Sequence, residues 1–236
     1  EPRPALNVAE FDKFAEEYLA DHATNIAVSG ESPDYFARYK VDEVRRLWDR
    51  LGLAEPRAIL DFGAGIGNSW PWLARAFPTA AIAGLDVSEK SLAIAERRFP
   101  GAATPVRYDG AILPFEPRSF DLIFSACFFH PIPAAEHVRL FGQLRAALRP
   151  DGRMATFEHN PVNPVTRHIV ATCTFDENAH LIAAPELRRR QARSGFHAVE
   201  VRYTGFFPGA LAALRPLERL MTALPLGAQY YTFARA

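Results

Sequence analysis

The stretch Ile59-Leu60-Asp61-Phe62-Gly63-Ala64-Gly65-Ile66-Gly67 decides how the rest of the chain is read. Residues 58–62 form a short apolar run of strand type, and glycines then recur at every second position before a helical pattern over 68–77. Pro71 is tolerated only in the first turn of that helix, where its missing N–H is unneeded. Glycines at a strand-to-helix turn let the backbone bend sharply and let another group approach it closely. Asp61 lies two residues before the first glycine, and Asp86 follows at the end of the next predicted strand, 81–87. In an open α/β sheet the binding crevice lies beyond the carboxyl ends of the strands, where strand order reverses. Two carboxylates at consecutive strand ends therefore flank one crevice.

Outward from this core the rhythm is strand, helix, strand. Ser88 is a good N-cap for a helix reaching Phe99, and Pro100-Gly101 closes it. Residues 105–108 read as a short strand. Residues 120–129 form a near-continuous apolar strand, the pattern expected when both faces are covered. A helix over 134–148, a turn at Arg149-Pro150-Asp151-Gly152 and a strand over 153–158 follow. Then come a helix at 185–194, strands at 199–207 and 229–234, and a helix near 209–223 between those two strands. The alternation predicts an α/β fold: a Rossmann-like, mostly parallel sheet with helices on both faces. Before it, Phe11, Phe14, Ala15, Tyr18 and Leu19 recur at helical spacing, and 35–51 is a second helix stopped by Gly52. The division expected is a helical N-terminal cap or lid over 1–57 and a core over 58–236.

Composition narrows the function. Hydrophobic residues make up 49% and charged residues 23% of 236, the balance of a globular chain rather than a disordered one. Lys and Arg total 27, as do Asp and Glu, so there is no net basic footprint for nucleic acid. Arg188-Arg189-Arg190 reads as a solvated helix face. The longest apolar run, 122–129, is far short of a membrane span. Two distant cysteines, Cys127 and Cys173, suggest no disulfide framework. Neither His130/His137 nor His159/His168 has the spacing of a helical metal pair. The expectation is a cytoplasmic protein acting on a small molecule, with no metal, no nucleic-acid partner and no stable membrane insertion; a homodimer is compatible with the sequence.

The glycine loop admits two ligands. A dinucleotide-binding turn is spaced G-x-G-x-x-G and holds pyrophosphate on a helix N-terminus. Here the spacing is G-x-G-x-G, position 68 is Asn68, and Asp61 lies just under the loop. A carboxylate there repels pyrophosphate and suits a cationic nucleoside, and one at Asp86 can accept ribose hydroxyls. The alternatives are an NAD-dependent oxidoreductase and a non-enzymatic binding module that retains the fold.

In these features the sequence resembles the class I S-adenosylmethionine-dependent methyltransferases, over about residues 35–236. Asp61-Phe62-Gly63-Ala64-Gly65-Ile66-Gly67 matches that family's glycine-rich motif, and Leu85-Asp86-Val87-Ser88 its second motif. Tyr108-Asp109-Gly110 with Leu113-Pro114-Phe115, Phe120-Asp121-Leu122-Ile123 and Leu148-Arg149-Pro150-Asp151-Gly152 resemble three later ones. The resemblance implies a seven-stranded sheet with its last strand antiparallel, and S-adenosyl-L-methionine as the methyl donor. It places the donor on Asp61, Gly63, Gly65, Asp86, Val87, Asp109, Gly110 and Ala126. Asp86 would hold the ribose, Asp109 the adenine amino group, and Gly110 would offer a backbone N–H. Tyr108-Asp109-Gly110 departs from the family's Gly-Asp-Ala.

Methyl transfer needs nucleophile, methyl and sulfur held in line, and in some cases a base. His130 directly follows the fourth strand, and His159 the fifth; these are the catalytic candidates, in each case as base or positioning group. The segment Glu158-His159-Asn160-Pro161-Val162-Asn163-Pro164-Val165-Thr166-Arg167 reads as a rigid polar loop. Within it Asn160, Asn163 or Arg167 could bind a polar substrate, or Asn163 could cap a helix over 165–172. Tyr18 and Tyr39 are candidates to stack over the donor. The apolar 206–226 segment could wall an acceptor pocket, form a dimer surface or touch lipid.

Overall fold

In the computed structural model, which describes residues 30–172 and 179–236, the glycine stretch leaves the middle of a seven-stranded sheet. The elements in chain order are α1 (Pro33–Arg50), β1 (Ala58–Phe62), α2 (Trp70–Ala76), β2 (Ala81–Asp86), α3 (Glu89–Arg98), β3 (Thr104–Arg107) and β4 (Phe120–Ala126). Then follow α4 (Ala134–Ala147), β5 (Leu148–His159), α5 (Pro164–Thr172), α6 (Ala184–Arg193) and β6 (His197–Thr204). A 3₁₀ helix (Gly209–Leu217), the single turn α7 (Glu218–Met221) and β7 (Gln229–Arg235) complete the order. The strands lie in the order β3-β2-β1-β4-β5-β7-β6. β7 runs antiparallel between β5 and β6, and the other pairings are parallel. Strand order reverses between β1 and β4, which puts the crevice at their carboxyl ends.

Alternate residues of the strands feed two apolar layers. Leu60 and Phe62 of β1 join Ile123, Leu140, Phe141, Leu144 and Leu187 on one face. Ile59 joins Val41, Val44, Leu47, Leu73, Phe77 and Phe124 on the other. The amphipathic stripe of α1 thus helps build one side of the core, with α2 and α3. Its start is set by Ser32, whose hydroxyl accepts the Tyr35 N–H at 3.1 Å, with Pro33 in the first turn. Ser88 caps α3 in the same way through the Ser91 N–H. Among the described residues no helix is long and apolar enough to cross a membrane. Phe11, Tyr18 and most of the N-terminal cap expected from the sequence lie outside the described residues.

Three elements differ from the sequence-based reading. β4 stops at Ala126 rather than at 129, because Cys127 turns into the left-handed region at φ 56°. β5 starts at Leu148 instead of 153. Its first residue pairs with Phe120 and the register then jumps to Leu122↔Arg153 around Asp151, at φ 66°. The expected helix over 209–223 is a 3₁₀ helix broken at Leu211, with Pro216 inside and a single α-turn after it. Its Leu211, Leu214 and Leu217 are exposed, as are Leu220, Leu224 and Leu226 beyond it.

The polar loop after β5 is held by its own asparagines. Asn160 is buried; its amide donates to Pro225 O (3.1 Å) and Gly227 O (2.7 Å), and its carbonyl accepts the Val162 N–H. Asn163 accepts the Thr166 N–H and so caps α5, while donating to Leu226 O. These contacts give both residues a structural role, so of the two readings of Asn163 the cap is the one realised. Asn160→Ala would strip the buried Gly227 carbonyl and the Pro225 carbonyl of their donor at a cost of about 2–3 kcal/mol. Thermal unfolding should show a melting temperature lower by roughly 5–10 °C; an unchanged melting curve would remove the asparagine from this role.

Candidate functional site

The three glycines of the turn do different jobs. Gly63 and Ala64 both donate their N–H groups to Leu85 O, which ties the turn to β2. Gly63 has φ 77°, and a Cβ there would lie 2.2 Å from the Phe128 ring. That ring packs edge-on against Phe62 at 4.6 Å, so glycine is required for the end of β4 to fold back over β1. Gly65, at φ 51°, is open: a Cβ there would meet nothing within 4 Å. Its N–H donates to Asp86 Oδ2 at 2.8 Å, and the Ser88 N–H donates to Asp86 Oδ1 at 2.9 Å. Both Asp86 oxygens are thereby fixed in place by backbone donors. Gly65 and Asp86 thus frame one space at the carboxyl ends of β1 and β2.

Asp61 faces the α1–α2 side of the sheet, opposite its neighbours Leu60 and Phe62. It is buried, and its Oδ2 has no hydrogen-bond partner. Burial first, and then the negative charge of Asp86, push its carboxyl up to about 7, against a smaller opposing effect of the Trp70 indole. A buried carboxyl in this state gains from a cation. On the other side of β2, Val87 is buried in the apolar core, so only its backbone is available to the crevice. Asp109 is exposed and accepts the Ala111 N–H at 2.8 Å; that bond and one from Ile112 hold its carboxyl below the ordinary range. The adjoining carbonyls of Gly110 and Ala111 are gripped by Arg139. Ala126 closes β4 opposite Phe157.

A second polar group lies where β4 and β5 end and β7 begins. His130 Nδ1 is 2.9 Å from Glu158 Oε2, and the other carboxylate oxygen accepts the Phe129 N–H at 2.7 Å. Both side chains are buried. The His130 and His159 rings meet edge to face at 5.2 Å, so the structure brings the two candidate histidines together. His159 Nδ1 is 3.5 Å from the Gln229 amide. Lys40, from α1, reaches Cys127 Sγ at 3.5 Å in the same region. Tyr39 is tied through its hydroxyl to Glu218 at 3.2 Å. Arg167 and His168 line a separate depression of about 520 Å³ that includes none of the glycine-turn residues.

Sequence reading missed Glu158, Lys40 and Gln229 as members of this group. Glu158 carries a signal in retrospect: it is an acid in an inward-facing position of a buried strand, where only a specific partner makes it tolerable. Lys40 carries none, since it falls within an ordinary amphipathic helix.

The family described as a methyltransferase domain matches residues 59–152. Trans-aconitate 2-methyltransferase of Variovorax paradoxus (strain S110) is 32% identical over 153 residues, 62% of this chain and 58% of that protein. The chain spans about half the length of such curated relatives. Among solved structures, an S-adenosylmethionine-dependent methyltransferase from Mesorhizobium loti is 28% identical, with a TM-score of 0.56. That match covers 79% of this chain and 95% of the other. A methyltransferase from Thermotoga maritima shares the fold at a TM-score of 0.65 and 17% identity, over 96% of this chain and 98% of that one.

The unequal roles of the glycines are measurable in the isolated protein. Gly63→Ala should cost about 1–3 kcal/mol more than Gly65→Ala, because only the former drives a methyl into a packed ring. Equal shifts in urea midpoint would show that the Phe128 contact does not set the turn.

Proposed function

We propose that the methyltransferase domain this chain carries transfers a methyl group from S-adenosyl-L-methionine to an oxygen of a small-molecule acceptor. The observation that carries the donor is the buried, unpartnered Oδ2 of Asp61 beneath an open Gly65 and beside Asp86. These residues fit the donor's three parts. Asp61 suits the ammonium, directly or through water; Asp86 suits the ribose hydroxyls; Gly65 leaves room for the chain between. Asp109 and Gly110 are assigned to the adenine edge, with Val87 and Ala126 contributing backbone. A pyrophosphate in the same place would face two acids, which disfavours the dinucleotide alternative.

When bound, the donor supplies a methyl made electrophilic by its sulfonium. The protein's own task is orientation and proton control. Glu158 lies 2.9 Å from His130 Nδ1 and fixes the ring angle. His130 serves as base for the acceptor's proton, and His159 positions the acceptor from β5. The Variovorax relative is named for a carboxylic acid, which agrees with an oxygen acceptor. The absence of any net charge on this chain agrees with a small molecule rather than nucleic acid, and two cysteines in 236 residues agree with a reducing cytoplasm.

Two measurements test the reading. Calorimetry with S-adenosylhomocysteine, which keeps the ammonium and ribose, should give release of about half a proton at pH 7. Affinity should weaken up to about tenfold per pH unit below that, because the ammonium favours ionised Asp61. Asp86→Ala should lose most of the affinity; unchanged binding in that variant, with no linked proton, rejects the donor site. Glu158→Gln should lower kcat about tenfold or more at neutral pH while leaving donor affinity intact. The acid limb of its pH–rate profile should move to lower pH, since the imidazolium loses its carboxylate partner. A Glu158→Gln enzyme with an unmoved profile would leave His130 as a packing residue.

A further inference from the structure

One reactive group at the mouth of the sheet has no part in the proposed transfer. Cys127 leaves β4 at φ 56°, a backbone conformation that L residues seldom adopt. The turn brings the sulfur of this half-buried residue to 3.5 Å from Lys40 Nζ and 3.7 Å from the Gln229 amide. Lys40 is only 9% exposed, and among the described residues its ammonium contact is this sulfur, with no carboxylate in ion-pair range. A buried ammonium is costly unless a counter-charge faces it. An ionised sulfur supplies that charge where no aspartate or glutamate does.

The other charged or titratable groups around the sulfur come from two strands. β5 contributes His159, which favours the thiolate, and Glu158, which opposes it; β7 contributes Tyr230. The Glu158 carboxylate is already engaged by His130 and the Phe129 N–H, which blunts its effect. Burial works against ionisation, but Lys40 and His159 outweigh it and hold the thiol down at about 7.

We propose that Cys127 is a thiolate modification site for small soft electrophiles, with Lys40 as its built-in counter-ion. In the reaction the sulfur lone pair forms an S–C bond with the electrophilic carbon, and the carbon–leaving-group bond breaks. The leaving group departs with that electron pair, and no proton moves because the sulfur is already ionised. The product is a neutral thioether, which deprives Lys40 of its counter-charge and adds bulk beside His159 and Gln229. The site does not depend on the methyl-transfer reading.

The test is the alkylation rate with iodoacetamide, followed for Cys127 by peptide mass spectrometry so that Cys173 is read separately. In the native chain the rate should rise with a midpoint near pH 7, while the same chain in urea should show the ordinary thiol midpoint near 8.5. At pH 7 the native rate should exceed the unfolded one by roughly fourfold, the larger thiolate fraction being partly offset by lower intrinsic nucleophilicity. Lys40→Met should abolish that advantage and move the midpoint upward, whereas Lys40→Arg, which keeps the charge, should retain both. A native profile that coincides with the unfolded one, a Cys127 that resists labelling, or a Lys40→Met profile equal to wild type would each overturn the proposal. If Lys40→Met does not fold, the native-against-urea comparison still decides.

Discussion

The Asp86 carboxylate accepts the Gly65 N–H from one side and the Ser88 N–H from the other, and the geometry of the crevice depends on this bridge. Without it the glycine turn keeps the Leu85 carbonyl on β2 and the Arg98 bond to Ile66 O from α3. With it, the end of β1 and the end of β2 become one rigid rim, and Asp61 is trapped beneath that rim without a partner for one oxygen. The same carboxylate therefore shapes the loop and raises the proton affinity of its neighbour. Charge repulsion between two buried acids is a cost in the ligand-free protein, and a cation relieves it. Binding strength and local strain are linked in this way through one residue.

Much of this was legible because it is local. Strand β1 begins and ends where its apolar run does, and Ser88 and Ser32 cap helices through bonds that span only three residues. The acids at 61 and 86 were readable as a pair because βα units put strand ends together by rule. Tertiary contact decided the rest. β4 continues apolar through Phe129, and nothing in that run announces a left-handed residue at 127; the turn is set by the Phe128 ring closing over Gly63. The Leu148–Gly152 segment has turn residues, yet the sheet recruits its first residue across a register shift.

The polar group around His130 shows the same limit from the other direction. Its members come from α1, the turn after β4, β5 and β7, and the Cys127–Gln229 contact alone spans 102 residues of sequence. His130 and His159 could be picked as strand-end histidines, but Glu158 and Lys40 acquire meaning only from what they face. Asn160 carries the opposite lesson. Its polar surroundings in the sequence suggest a ligand contact, whereas its amide is spent on the backbone of the segment before β7.

The insertion of β7 between β5 and β6 has a consequence for how the molecule is made. During translation β6 emerges with no edge to join, since its neighbour in the sheet is the strand synthesised after it. A half-built chain can assemble β1 to β5, but its β5 flank stays open and the Glu158–His159 end lacks Gln229. Until β7 is made, the growing chain therefore carries an uncovered strand edge on β5, and closing it falls to β7.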